Sequence, residues 1–213
     1  MVAPASPLKA QRFIRDNLPL AEPHGLAGLR LHRAVPASGL ARFLGEDGGT
    51  PYWAYAWPGG LALARHLIEH PDLVRGRRVL DFGAGSGIVA IAAMRSGAAS
   101  ALAVDTDALA AVATELNAEA NGVTIATRTG FIAPDEVDAE LILAADTFYA
   151  EDVARAATVF LAACAARGID VLVGDIGRRF LPFELLRAVA EYEVSDIGNP
   201  TEMQTGKIFS LLP

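Results

Sequence analysis

The sequence predicts an α/β fold in which helices cover both faces of a mostly parallel sheet of seven strands. Short apolar segments alternate with helical segments along most of the 213 residues, a pattern typical of parallel strands joined by helices. Residues 79 to 87 run from one strand directly into a glycine-rich loop that opens a helix. The last two apolar segments, Tyr192 to Ile197 and Gly206 to Leu212, follow each other without a helix and predict an antiparallel edge.

The first 48 residues are expected to form a short N-terminal extension to a domain that spans residues 49 to 213. The extension contains a predicted helix from Ala10 to Leu18, and prolines interrupt the rest of it. Its role is either substrate recognition or cover for an edge of the sheet. Met1 to Leu8 lacks the basic and then apolar order of a secretory signal.

The elements of the main domain follow from apolar spacing and from residues that end helices. Apolar residues recur at helical spacing from Gly60 to His70, and Pro71 ends this helix. Further helices are predicted at Ser86 to Arg95, Ala108 to Ala120, Asp152 to Ala166 and Phe183 to Ala190. The strands that precede the closing pair are predicted at Arg78 to Phe82, Ala101 to Asp105, Val123 to Thr127, Ala139 to Ala145 and Ile169 to Gly174.

The loop Gly83-Ala84-Gly85-Ser86-Gly87 lies between two strands that end in carboxylates. Its glycines allow the backbone to approach a ligand, and Asp105 follows Gly87 at about the spacing of an acidic residue that binds ribose hydroxyls. A dinucleotide would place its pyrophosphate at the helix N-terminus, and its motif has glycine where this chain has Ile88. Asp81 would repel a phosphate and attract the ammonium and sulfonium of S-adenosylmethionine. S-adenosylmethionine is therefore the predicted donor, with S-adenosylhomocysteine as its product.

Residues near the other strand ends are predicted to complete the donor site. Thr106 is expected to cap the following helix and to help at the rim of the site. Thr129 and Gly130, at the end of the third strand, are expected to face the adenine.

The motif D-F-G-A-G-S-G, from Asp81 to Gly87, resembles the first motif of class I S-adenosylmethionine-dependent methyltransferases. Asp105 resembles the acidic residue that ends the second strand in the same proteins. The resemblance implies their Rossmann-like sheet of seven strands.

Three further segments are similar to the lysine methyltransferases that modify the β subunit of electron transfer flavoprotein. The segments are Pro51 to Gly60, Asp146-Thr147-Phe148-Tyr149 and Gly174-Asp175-Ile176-Gly177-Arg178. The similarity extends from about Pro51 to Arg178. It departs at Ala150, where the family usually has an acidic residue, and at Ile176, where it usually has proline.

This resemblance implies methyl transfer to lysine side chains of a protein, with electron transfer flavoprotein β subunit as the expected substrate. It places Trp57 beside the donor, with ordinary packing as the alternative, and Asp146 at the acceptor nitrogen, where the carboxylate would orient the amine and relay a proton. Tyr149 and Phe148 would form the channel wall by attracting a cation to their ring faces, and ordinary packing is the alternative. Other possible functions are methylation of a ribosomal protein or small amine, nicotinamide-dependent dehydrogenation, and cofactor binding without catalysis.

Composition narrows the possible partners. The net charge of −7 is concentrated after residue 70, which disfavours nucleic acid and favours cationic ligands. Cys164, the one cysteine, lies in an apolar run and is expected to be buried, and no metal site is expected. No apolar run reaches the roughly 18 residues of a membrane span, and a cytoplasmic location is expected. Arg178 and Arg179 are expected to form solvated charge pairs, with Asp175 as a candidate partner, and contact with an acidic patch on a protein partner is the alternative.

Overall fold

The computed structural model describes residues 6–45, 49–197 and 202–212. The helices are α1 (Pro7–Asn17), α2 (Leu40–Leu44), α3 (Pro58–Glu69), α4 (Ile88–Arg95), α5 (Ala108–Ala120) and α6 (Glu151–Ala165). The strands are β1 (Leu20–Ala21), β2 (Leu31–His32), β3 (Arg78–Phe82), β4 (Ser100–Asp105), β5 (Ala126–Thr129), β6 (Leu141–Ala145), β7 (Asp170–Asp175), β8 (Leu186–Ser195) and β9 (Met203–Leu211). Short 3-10 helices occur at Pro36–Ser38, Tyr52–Ala54, Pro71–Leu73, Pro134–Glu136 and Phe183–Leu185.

The main sheet has seven strands in the order β5-β4-β3-β6-β7-β9-β8. Strands β3 to β7 are parallel, and β9 is antiparallel to both β7 and β8. The predicted fold class, including its antiparallel edge, is therefore confirmed. The strand order reverses between β3 and β6, so the carboxyl ends of these two strands flank the crevice in which α/β sheets bind ligands.

Alternating side chains of the central strands separate two apolar clusters. Val79 packs with α3 and α4 on one face, and the next residue, Leu80, packs with α6 on the other. Cys164 is fully buried in the α6 cluster, as predicted. Among the described residues, no helix is long and apolar enough to cross a membrane, and no group of three or more histidine, cysteine or carboxylate residues could hold a metal ion.

The described part of the N-terminal extension packs along helix α5. Ala10, Ile14 and Leu18 are buried in one apolar cluster with Ala113 and Leu116 of α5. The strands β1 and β2 form a separate antiparallel pair. The segment thus covers helix α5. One of the two expected roles was to cover an edge of the sheet, and the contacts of α1 are instead with this helix. Residues 1–5 and 46–48 lie outside the described residues, and the division of the chain at residue 48 stays a prediction.

The predicted helix from Phe183 to Ala190 is wrong. Only Phe183–Leu185 is helical, as a 3-10 turn, and strand β8 begins at Leu186. Apolar residues three and four positions apart in this segment resemble a helical pattern. They instead pair with β9, with an irregularity between Ala188 and Ala190 that shifts the register by one residue.

Two other element boundaries differ from the predicted ones, each for a local reason. Helix α4 begins at Ile88 because Gly87 before it has a left-handed φ of 77°. The third strand of the main domain was predicted at Val123 to Thr127, but β5 spans Ala126–Thr129. Val123 donates its N–H to the Ala118 carbonyl, which closes the end of α5 and delays the strand.

Candidate active site

Four carboxylates lie along the carboxyl edge of four neighbouring strands. Asp105 and Asp175 end β4 and β7, Asp81 is the penultimate residue of β3, and Asp146 directly follows β6. Because β4, β3, β6 and β7 are adjacent in the sheet, the topology brings the predicted carboxylates to one rim. This rim flanks the crevice between β3 and β6.

The glycine loop from Gly83 to Gly87 is held by close packing from below. Gly83, Gly85 and Gly87 all have left-handed φ values, which favour glycine. A Cβ atom on Gly83 would lie 2.8 Å from Cγ2 of Thr147, and one on Gly87 would lie 2.7 Å from Cγ2 of Thr114. A Cβ on Gly85 would meet only the Cα of Trp53, at 3.9 Å. Gly83 and Gly87 therefore allow close packing against side chains of the protein, whereas the space beside Gly85 is open.

Asp81 lies beneath the loop and is 1% exposed. Its Oδ2 accepts the backbone N–H of Ala90 at 3.0 Å, in the first turn of α4. Burial raises the pKa of the Asp81 carboxyl to about 7. A carboxyl group already accepts a hydrogen bond at this helix N-terminus, so a phosphate there would compete with it for the N–H groups and would be repelled whenever the carboxyl is ionised.

Asp105 links the end of β4 to the glycine loop. Its Oδ2 accepts the N–H of Gly85 at 2.8 Å, and its Oδ1 accepts the N–H of Asp107 at 2.9 Å. Burial raises the pKa of the Asp105 carboxyl, although these hydrogen bonds oppose the shift. The predicted capping role of Thr106 is wrong, because α5 begins at Ala108 and the preceding Asp107 accepts the N–H of Leu109 at 2.8 Å.

Thr129 and Gly130 lie beside Asp105. Gly130 has a φ of 100° and donates its N–H to the Asp105 carbonyl at 2.8 Å. Thr129 is exposed at the end of β5. Phe131, which sequence reasoning missed, follows them and is 84% exposed.

Asp146 connects β6 to the start of α3. It accepts the N–H of Gly59 at 3.1 Å and the N–H of Gly60 at 2.7 Å, and so caps a helix that lies far away in the sequence. It is the one non-glycine residue with a positive φ, 56°, in the described part of the chain. Such a backbone conformation is costly and is common at functional sites. Burial raises the pKa of the Asp146 carboxyl, and the positive charge of Arg178 opposes that shift.

Arg178 joins the two carboxylates at the ends of β6 and β7. Its Nη1 lies 2.6 Å from Asp146 Oδ1 and 2.8 Å from Asp175 Oδ2. The side chains of Arg178, Asp146 and Asp175 are only 18%, 10% and 0% exposed. The pairing with Asp175 was anticipated, but the expectation of a solvated pair is wrong. The protein instead contains a buried network with two negative groups and one positive group.

Helix α3 reaches this network through glycines that sequence reasoning assigned no role. A Cβ atom on Gly59 would overlap the Gly174 carbonyl and lie 2.8 Å from Asp146 Oδ2. A Cβ on Gly174 would in turn overlap the Gly59 carbonyl. The two backbones can approach this closely only because both residues lack a side chain.

Three aromatic side chains lie near one another at the rim. The Tyr52 ring is 5.4 Å from that of Trp57 and 5.1 Å from that of Tyr149. Trp57 precedes α3 and donates its indole N–H to the Tyr52 carbonyl at 2.8 Å. Tyr52 and Tyr149 are 40% and 46% exposed. These rings connect the segment before α3 with the segment after β6.

Phe148 does not share this position. It is 1% exposed and packs in the apolar cluster beneath the sheet with Phe160 and Leu161. The expectation that it forms a channel wall is therefore corrected to ordinary core packing. The left-handed turn at Asp146 and the alternation after it separate Phe148 from Tyr149.

Replacing Asp81 with asparagine is expected to change how stability depends on pH. The folded-state pKa is about 7 and the ordinary value is 3.8, so between these pH values the folded protein holds a proton that the unfolded chain has lost. The contribution of Asp81 to stability is thus fully present below about pH 4 and is lost as the pH rises through about 7.

Urea unfolding of both proteins from pH 5 to pH 8 tests this prediction. As the pH rises from 5 towards 7, the free energy of unfolding of Asp81→Asn should increase relative to that of the wild type by up to about 1.4 kcal/mol per pH unit. Asp138→Asn, at a carboxylate whose side chain is 88% exposed, serves as the control and should show no such trend. A constant difference between Asp81→Asn and wild type would contradict the prediction.

Comparison with known families gives a match at the centre of the chain. The family model described as ribosomal protein L11 methyltransferase (PrmA) matches residues 64–170. This range includes the glycine loop, Asp105 and Asp146.

Curated relatives share substantial sequence identity with the chain. Electron transfer flavoprotein beta subunit lysine methyltransferase of Rattus norvegicus is 46% identical over 132 residues, which are 60% of this chain and 51% of the relative. The Xenopus laevis protein of the same name is 40% identical over 158 residues, 70% of this chain and 63% of the relative. Ribosomal protein L11 methyltransferase of Stenotrophomonas maltophilia (strain K279a) is 40% identical over 120 residues, 56% and 38% of the two chains. The chain spans about half the length of the first of these relatives.

Solved structures share the fold. A SAM-dependent methyltransferase from Geobacter sulfurreducens, in complex with S-adenosyl-L-homocysteine, matches with a TM-score of 0.52 at 16% identity, covering 71% of this chain and 90% of that one. TrmN from Thermus thermophilus matches with a TM-score of 0.51 at 21% identity, covering 70% and 48%.

Proposed function

Since the chain belongs to the methyltransferase family described as ribosomal protein L11 methyltransferase (PrmA), we propose that it transfers methyl groups from S-adenosylmethionine to lysine side chains of a protein. The proposed substrate is electron transfer flavoprotein β subunit, because relatives 40% to 46% identical carry that name. Residues 49 to 213 form the proposed methyltransferase domain, and a cytoplasmic location is part of the proposal.

The observation that carries this proposal is the position of Asp81 under the glycine loop. Its carboxylate interacts with the N-terminus of α4 and leaves no favourable place for a pyrophosphate. A nucleoside that carries ammonium and sulfonium groups would favour the ionised form of this carboxyl, whose pKa burial raises to about 7. A nicotinamide dinucleotide fits this arrangement poorly.

The residues present fit the donor. Gly85 leaves space on its outer side, and Asp105, which accepts the N–H of Gly85, would accept hydrogen bonds from the ribose hydroxyls. Thr129 and Gly130 lie next to Asp105 at the proposed adenine end. When bound, S-adenosylmethionine supplies a methyl group on a positively charged sulfur.

The acceptor must reach the site as a neutral amine. A free lysine has a pKa of about 10.4, so neutralising it at pH 7 costs roughly 4 to 5 kcal/mol. Asp146 alone would stabilise the ammonium form, but Arg178 lies 2.6 Å from it and offsets its charge. The Asp146 carboxylate already accepts hydrogen bonds from Gly59, Gly60 and Arg178. A remaining lone pair on its oxygens can accept an N–H of the substrate amine and so orient it.

The proposed transfer is an in-line displacement. The nitrogen lone pair forms the N–C bond while the S–C bond breaks, and the bonding pair passes to sulfur. The products are S-adenosylhomocysteine and a methylammonium group, which loses a proton to water or through Asp146 before another transfer. Tyr149 and Tyr52 at the rim present ring faces that attract a cationic nitrogen.

A ribosomal protein is the second candidate substrate. The matching family model and the Stenotrophomonas maltophilia relative both carry the name ribosomal protein L11 methyltransferase. The donor half of the site would be the same for either substrate.

Intact-mass analysis distinguishes these substrates. Electron transfer flavoprotein and ribosomal protein L11 are each incubated with the chain and S-adenosylmethionine, and the modified lysine is located by peptide sequencing. We expect methyl additions on the flavoprotein β subunit, none on L11, and none without the donor. Methylation of L11 alone would refute the proposed substrate, and calorimetry showing no binding of S-adenosylmethionine or S-adenosylhomocysteine would refute the donor assignment.

A further inference from the structure

Two buried side chains of α5 hold the glycine loop from behind. Thr114, 1% exposed, donates its hydroxyl to the Gly85 carbonyl at 3.3 Å. Asn117, 0% exposed, donates its amide N–H to the Ser86 carbonyl at 2.8 Å. These carbonyls lie in the middle of the loop, so α5 determines where the loop backbone sits.

Asn117 also binds the N-terminal segment. Its Oδ1 accepts the backbone N–H of His32, in β2, at 2.8 Å. One buried amide group therefore joins β2 to the glycine loop. Breaking either hydrogen bond of this buried amide costs free energy. A shift of β2 therefore affects the glycine loop, and a shift of the loop affects β2.

Asn121, which caps the C-terminus of α5 one turn after Asn117, makes a comparable contact that does not reach the loop. Its side chain accepts the N–H of Arg30 at 2.9 Å and donates to the carbonyls of Arg30 at 2.6 Å and Asn117 at 2.7 Å. Asn121 thus secures the same N-terminal segment to the same helix. Of the two asparagines, Asn117 alone contacts both the segment and the loop.

We propose that Asn117 is a positioning residue of the donor site, which couples donor binding to the docking of the segment around His32. Asn117 fixes the Ser86 carbonyl and with it the loop that approaches the donor. By thermodynamic reciprocity, a donor that orders the loop strengthens the contact with β2. The N-terminal segment, outside the matched family region, thereby becomes part of the donor site. This inference rests on the proposed S-adenosylmethionine site.

A matched pair of variants tests the proposal. Asn117→Asp and Asn121→Asp both keep an oxygen that accepts an N-terminal backbone N–H, and both lose the NH₂ donor. Only Asn117→Asp loses a bond to the glycine loop. We expect its Kd for S-adenosylhomocysteine and its KM for S-adenosylmethionine to rise about tenfold, with kcat at saturating donor little changed. Asn121→Asp should change both constants less than about twofold.

Hydrogen exchange of the wild-type protein gives a second test that needs no variant. Saturating S-adenosylhomocysteine should slow exchange of the His32 amide about fivefold or more, and the Arg30 amide, bonded to Asn121, should change less. Equal weakening by the two variants, unchanged affinity in Asn117→Asp, or an unprotected His32 amide would overturn the proposal. Failure of the wild type to bind the donor would instead refute the proposed function. If Asn117→Asp does not fold, the exchange experiment decides.

Discussion

Replacing Gly59 with alanine is expected to lower the free energy of unfolding by about 4 kcal/mol. The new Cβ would overlap the carbonyl of Gly174 and lie 2.8 Å from Asp146 Oδ2. These are a backbone atom and a buried, hydrogen-bonded carboxylate, so no flexible side chain can move aside. Helix α3 would have to withdraw from β7, and the contacts of Asp146 with the first turn of α3 would be lost. Urea unfolding of the variant and the wild type measures the effect.

Two other glycines provide graded controls. A Cβ on Gly60 would meet Cγ2 of Ile88 at 3.2 Å, a side-chain atom that can adjust. A Cβ on Gly49 would meet nothing within 4 Å. We expect Gly60→Ala to be close to neutral, because its crowding is offset by better helix propensity, and Gly49→Ala to be neutral or slightly stabilising. A similar loss of stability in all three variants would contradict the proposed Gly59–Gly174 contact.

Replacing Asp146 with alanine is expected to lower kcat at least about 100-fold while changing the Kd for S-adenosylhomocysteine less than about threefold. The carboxylate is proposed to orient the acceptor amine, whereas the donor is bound mainly by the glycine loop and Asp105. The same change removes the cap of α3 and leaves Arg178 with Asp175 as its remaining partner. Stability should therefore fall by roughly 3 kcal/mol. Kinetics must be measured well below the unfolding temperature of the variant.

Asp146→Asn separates the charge from the shape. Asparagine keeps an oxygen for an N–H of α3 but loses the ion pair with Arg178, so it should retain more stability than alanine and still lose most of the turnover. Arg178→Gln is the complementary variant, since it leaves Asp146 charged without its counterion. Wild-type turnover in Asp146→Ala would refute the catalytic role. Equal loss of donor binding and turnover would show that the residue acts through the fold.

The sequence predicts where the glycine loop and the strand-end carboxylates lie in the sheet, because the information for these positions is local. The bounds of β3 and α5 agree with the predicted Arg78 to Phe82 and Ala108 to Ala120. Strands of a parallel sheet end at one edge, so carboxylates that follow predicted strands could be expected to meet. The roles of individual site residues toward donor and acceptor stay predictions.

The rest depends on contacts between distant parts of the chain. The pairs Gly59–Gly174 and His32–Asn117 leave no periodic signal, because a close backbone approach or a side-chain bond to a backbone N–H needs only one residue at each end. The first half of β8, up to Ala190, was predicted as a helix because its apolar spacing is ambiguous, and pairing with β9 decides its conformation. Phe148 lies two residues after Asp146, whose backbone is left-handed, so simple alternation along the strand could not predict the direction of its side chain.

Cys164 gives the wild-type protein a built-in reporter of its own motion. It is the one thiol of the chain and lies fully buried where α6 meets the sheet. A thiol reagent can reach the Cys164 side chain only when α6 separates from β6 and β7. The rate of labelling therefore measures how often this part of the protein opens. Comparing the labelling rate with and without the donor would show, without an engineered label, whether a ligand at the carboxyl edge of the sheet slows the opening of α6.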